Sequence, residues 1–120
     1  MKDDTDFVLS QIINAVQDKK AKKIVSLDLS GIPNSVCKYF VICHAQSKQQ
    51  VSAIFDNVEE EVQKNCGIKP FHCEGFENSE WILVDYFDIV VHIFLEDIRA
   101  FYHIEDLWAD AVIKEYASDD

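Results

Sequence analysis

Residues 80–111, EWILVDYFDIVVHIFLEDIRAFYHIEDLWADA, decide the fold. Two apolar runs, Trp81–Tyr86 and Ile89–Leu95, are separated only by Phe87-Asp88, which predicts two adjoining strands joined by a tight turn. Side chains alternate across a strand. Trp81, Leu83 and Asp85 therefore share one face of the first strand, and Ile82, Val84 and Tyr86 the other. On the second, Ile89, Val91, Ile93 and Leu95 oppose Val90, His92 and Phe94. After Glu96 the spacing of Ile98, Phe101, Tyr102, Ile104, Leu107 and Trp108 becomes helical.

Working outward, Ser47 and Gln50 form a capping box, S-x-x-Q, ahead of a helix. Val51, Ile54, Phe55, Val58 and Val62 line one face of that helix, and Gly67 supplies the left-handed residue that stops it. Val36–Ala45, VCKYFVICHA, is a nearly continuous apolar run, as suits a central strand covered on both sides. Residues 23–30 read as another strand, closed by a turn at Gly31–Ser35. Pro70–Glu74 is a short third strand, followed by a polar loop over Gly75–Glu80. Near the N-terminus, Val8, Ile12 and Val16 with Leu9 and Ile13 predict a helix over about residues 5–20. Asp3, Asp4 and Asp6 stand at its start, and Lys19, Lys20, Lys22 and Lys23 at its end. The predicted fold is α+β, a mixed sheet of about five strands flanked by helices. Residues 1–120 read as one domain, its core over about 5–112 and a polar acidic tail over 113–120.

The charge is distributed unevenly. Of 22 acidic and 11 basic residues, giving a net −11, the first 73 residues hold equal numbers of each sign. Residues 74–110 hold Glu74, Glu77, Glu80, Asp85, Asp88, Glu96, Asp97, Glu105, Asp106 and Asp110 against Arg99 alone, together with both tryptophans. An acidic, aromatic surface suits a basic protein partner and opposes a bare phosphate backbone. The Lys19–Lys23 cluster has no aromatic residue interleaved and reads as a solvated helix end. The longest uncharged apolar run, Ile89–Leu95, is too short to cross a bilayer. The start, MKDDTDF, lacks the basic opening and apolar core of a secretion signal, so a cytoplasmic location is expected.

Catalytic and metal readings fare poorly. Cys37, Cys43, Cys66 and Cys73 form no C-x-x-C pair and read as free thiols. Cys43-His44 and His72-Cys73 are neighbours on strands and point to opposite faces, against a zinc site. Asp85 and Asp88 flank a turn, where a pair of carboxylates can hold a divalent cation, but they need not converge. No Ser or Cys stands at a recognisable spacing from a His and a carboxylate. His92 reads as a packed histidine and His103 as an exposed one. The expectation is no enzyme, no metal and no cofactor. Trp81, after a polar loop, is expected at the rim, whereas Trp108 is either core or contact.

Taken in order, CKYFVICHAQS, the Val-rich helix, HCEG, EWILVDYFDIVVHIF, IRAFY and DLWADA resemble the Iojap family, the ribosomal silencing factors (RsfS), over residues ~7–112. The resemblance implies a nucleotidyltransferase-like core without its active site. It also implies a protein that binds the large ribosomal subunit through large-subunit ribosomal protein fourteen and blocks joining of the small subunit when nutrients are scarce. A role in large-subunit assembly on the same face is the alternative, and a metal-dependent nucleotidyltransferase the remote one. The resemblance also implies that the free protein can form a homodimer, and the net −11 argues for little direct RNA contact. Carried over by motif, the contacts are Trp81 and Asp85 of the WILVD strand, Tyr86 after it, Tyr102 of R-x-x-Y and Trp108 of the LW pair. Asp88 joins them on physical grounds. The chain departs from the family pattern at Phe87, where relatives commonly carry Gly, and Phe tolerates positive φ poorly.

Overall fold

The computed structural model describes residues 4–118. Its elements in chain order are α1 (Thr5–Asp18), β1 (Lys22–Asp28), β2 (Tyr39–Ala45), α2 (Lys48–Cys66), β3 (His72–Glu74), β4 (Trp81–Asp85), β5 (Ile89–Leu95), α3 (Glu96–Tyr102), a 3-10 turn (Ile104–Trp108) and β6 (Val112–Glu115). The strands form one sheet in the order β3-β4-β5-β2-β1-β6. Only β2 and β5 run parallel, from Tyr39↔Ile89 to Ala45↔Leu95; the other neighbours are antiparallel. The fold is thus α+β with a mixed sheet.

Both faces of the sheet carry a core. On one, α1 and α2 cover Val41, Cys43, Ile82, Val84, Ile89, Val91 and Ile93 with Ile12, Val16, Val51, Ile54, Val58 and Val62. Complete burial of each such aliphatic side chain is worth about 1.5–3 kcal/mol. On the other, Leu27, Leu29, Phe40, Ile42, Val90 and Phe94 lie under Ile98, Ile104 and Trp108 of the C-terminal segment. β2 is buried from Phe40 to Ala45, as its unbroken apolar run requires. α2 begins where the capping box predicts: Ser47 Oγ accepts the Gln50 N–H at 3.1 Å, and Gly67 ends the helix at φ 70°.

Four expectations shift. The sheet has six strands, because β6 takes residues expected in the polar tail. β6 is exposed on all four residues and so carries no alternating signature. Its pairing with β1, backed by Ser26 Oγ and Tyr116 Oη 3.0 Å apart, is a tertiary choice. α1 stops at Asp18, so Lys22 and Lys23 belong to β1 rather than to a helix end, and Asp3 lies outside the described residues. β2 starts at Tyr39, where Lys38 N–H and Tyr39 N–H both donate to the Asp88 carbonyl. Finally, the helical run after Glu96 breaks at His103, which is left-handed (φ 46°, ψ 56°) although it is not glycine.

Candidate functional site

The second face is only partly covered, and Trp81 stands at its edge. The indole is half-buried, with ring centroids 4.8 Å from Phe94 and 5.2 Å from Tyr102. Its Nε1–H donates to His92 Nδ1 at 3.1 Å. Accepting at Nδ1 puts the His92 proton on Nε2. Burial pushes this imidazole down to about 4, so it stays neutral and keeps its acceptor near pH 7. Tyr102, 53% exposed, carries the 78%-exposed Phe101 edge-on at 4.9 Å. Trp108 is half-buried, edge-on to Phe40 at 5.5 Å, so it is both core and rim. The exposed carboxylates Glu96, Asp97, Asp106 and Asp110 lie on this C-terminal segment.

The remaining expected contacts divide. Asp85 shares the face of Trp81 but lies four residues along β4, about 13 Å away at strand rise. Its Oδ1 accepts the Phe87 N–H at 2.8 Å. Asp88 is exposed at the turn and accepts the Thr5 hydroxyl at 3.3 Å through Oδ2. Tyr86 is not on this face in the structure. It is 8% exposed, packed in the core beneath the helices, and its hydroxyl is buried without a partner among the described residues. Burial, then Glu59, pushes its phenol well above the usual range. The alternation along β4 and its turn accounts for this, since Tyr86 follows Ile82 and Val84.

Arg99 of α3, whose side chain is 9% exposed, ties the C-terminal segment to β1 and β2. Its Nε and Nη2 donate to Glu105 Oε2 at 3.1 and 2.6 Å. Its Nη1 donates to the Lys23 carbonyl at 2.8 Å and to His44 Nδ1 at 3.0 Å. The Lys22–Val25 register shift and the left-handed Lys23 mark a bulge at this carbonyl, a means of re-aiming it. Six residues along an unbroken helix stand about 9 Å apart and about 240° round, so Arg99 and Glu105 would diverge. The left-handed His103 folds the chain back and lets them meet. Burial, followed by the Arg99 charge, lowers the His44 pKa. Burial pushes the Cys37 and Cys73 thiols up to about 11, and among the described residues no group of three His, Cys, Asp or Glu is placed to share a metal ion.

Residues 2–120 match the family model described as ribosomal silencing factor during starvation. The chain belongs to the ribosomal silencing factor family. It is 43% identical over 101 residues to ribosomal silencing factor RsfS of Bacillus subtilis, covering 84% of each chain. It is 42% identical over 104 residues to that of Halalkalibacterium halodurans, covering 87% of each. A crystal structure of a Chromobacterium violaceum protein superposes with a TM-score of 0.81 at 35% identity, covering 87% of this chain and 85% of that one.

In this member of the RsfS family, three residues that build the face were not singled out for it from sequence. Gly75 has φ +82°, and a Cβ there would sit 2.0 Å from the Trp81 carbonyl oxygen. Glycine thus lets the loop pass directly against the start of β4. His92 was read as a packed histidine, yet it holds the indole. Its place on the Trp81 side of the hairpin follows from alternation, and pairing sets Leu83 opposite it. Arg99, the lone cation of residues 74–110, was visible by composition, but its partners come from three separate segments.

Proposed function

We propose that the protein docks on the large ribosomal subunit through the Trp81 face, against large-subunit ribosomal protein fourteen, and obstructs joining of the small subunit. The observation that carries this reading is a tryptophan fixed by a partly buried hydrogen bond yet half open, with exposed Tyr102 beside it, on an acidic member of the RsfS family. Rigid aromatic anchors supply desolvated area at low entropic cost, and truncating one at an interface typically costs about 2 kcal/mol or more. The acidic rim suits a basic protein and opposes direct seating on RNA, given the net −11. The action is steric and uses no catalysis, metal or cofactor. Its setting is the cytoplasm, and in the free protein the same face is available to a second copy. Among the described residues no helix is long and apolar enough to cross a membrane.

Trp81, Tyr102 and the rim of Trp108 form the centre of the proposed contact, with Asp85 and Asp88 as an acidic flank. Tyr86 acts from beneath by packing β4, not by touching the partner. The test is cosedimentation with isolated large subunits, followed by a subunit-joining assay by light scattering. The wild-type protein is expected to bind and to slow joining, and Trp81→Ala and Tyr102→Ala to do neither at the same concentration. Wild-type protein that fails to bind, or two variants that bind equally well, would overturn the reading.

A further inference from the structure

Beside the turn between β4 and β5 stand two aromatic rings, Phe87 of the turn and Phe71 just before β3, that neither core uses. Phe71 and Phe87 are 69% and 67% exposed, with centroids 4.8 Å apart and planes at 33°. Neither belongs to a buried cluster. Phe87 also sits at φ +78°, where a bulky side chain is a steric outlier. The surroundings hold it there. Asp85 Oδ1 accepts its N–H at 2.8 Å, the Asp88 N–H donates to the Tyr86 carbonyl at 3.0 Å, and the Tyr86 N–H to Ile89 at 2.8 Å. The Phe71 N–H donates to the Asp85 carbonyl at 2.7 Å, which brings the second ring alongside the first. Burial does not explain an aromatic residue in this conformation, but presentation does.

We infer that Phe71 and Phe87, with Asp85 and Asp88, form a docking step for an arginine-bearing segment of the basic partner, and this rests on the docking reading above. The charge of the step selects the occupant. An apolar peptide would cover the rings and strand two carboxylates against it, whereas a guanidinium stacks on a ring face and pairs with a carboxylate in the same pose. Lysine, a strongly hydrated point charge, fits the carboxylates but stacks poorly. The step continues the proposed surface, because Asp85 lies on the Trp81 side of β4 and also anchors Phe87. It lies one strand length from the indole, so the partner is engaged at two points and its orientation is set.

Phe87→Gly is the informative variant, since it removes the ring and suits the turn. It is expected to keep or raise the Tm while weakening binding to isolated large subunits about thirtyfold, the fold-change a desolvated cation–π contact is worth. Phe71→Ser, which leaves the turn untouched, is expected to weaken binding similarly. Argininamide titrated against the full chain is expected to shift the Phe71 and Phe87 ring-proton signals more than lysinamide at equal ionic strength. If Phe87→Gly and Phe71→Ser bind like wild type while Trp81→Ala does not, the step is refuted and the docking reading stands. If Trp81→Ala also binds like wild type, the docking reading falls and the step with it. Equal shifts from the two amides, or variants that only turn a dimer into a monomer with subunit binding intact, would refute an arginine site.

Discussion

Replacing Arg99 by Met should be the most damaging single change to the fold of the C-terminal segment that leaves the exposed residues of the Trp81 face in place. The substitution keeps an unbranched chain in the slot but removes every donor. Glu105, whose side chain is 16% exposed, then holds a charge with no partner, and its Oε1 is already buried without one among the described residues. Breaking a buried ion pair from one side costs about 3–5 kcal/mol. The Lys23 carbonyl and His44 Nδ1 lose their donors as well, each worth about 1 kcal/mol, although part of that is regained from water. A net loss of about 4 kcal/mol is expected, a large fraction of the roughly 5–15 kcal/mol that holds such a domain together. At about 0.25 kcal/mol per degree for a chain of this length, the Tm should fall by about 15 °C. Equilibrium urea unfolding measures this, with Glu105→Leu and the double variant completing a cycle. Removing both charges should recover at least half of the loss, because an apolar pair replaces a buried ion pair at little cost. A single variant costing under about 1 kcal/mol, or a double variant as unstable as the sum of the two, would refute the account.

The remaining predictions concern the indole and the second helix. The folded-state pKa of His92 lies near 4, below its ordinary 6.5, so the folded chain binds fewer protons than the unfolded one between these values. Its contribution is complete above about pH 6.5 and is lost as pH falls towards 4, and the lowered His44 pKa acts in the same direction. Against His92→Gln, which keeps an acceptor for the indole N–H but cannot charge, the wild-type protein should lose about 3 kcal/mol more between pH 7 and 4 in urea titrations. Parallel stability profiles would exclude His92 as the source. Gly75→Ala places a methyl group against the Trp81 carbonyl, so β4 must shift at its start. Indole fluorescence should change and stability drop by about 2 kcal/mol or more, and an unchanged emission spectrum would contradict the close approach. Ser47→Ala removes the side-chain cap of α2 and should cost about 1 kcal/mol by thermal unfolding, with subunit binding unaltered.

The sequence carried the fold wherever a physical period repeated. Helical spacing and a cap specified α2, unbroken apolar character specified β2, and alternation told which side of β4 and β5 each residue takes. Alternation grouped Tyr86 with Ile82 and Val84, and in the structure all three lie in the core beneath the helices. β6 was not legible, because a short strand exposed on all four residues has no pattern until β1 offers it a ladder.

The candidate site shows the same division more sharply. Local chemistry on the chain marked Trp81 and the acidic half as the expected surface, and the family resemblance added Tyr102. Whether the indole would be fixed or loose depended on His92 across the hairpin and on the absence of a side chain at Gly75. Whether Trp108 would fold back onto Phe40 depended on a left-handed residue that no glycine announces, stabilised where Arg99 meets Glu105, His44 and the Lys23 carbonyl. Periods and caps act between near neighbours and can be read along a chain. A buried ion pair or a hydrogen bond between strands exists only once distant segments share a volume, and that sharing belongs to the tertiary structure.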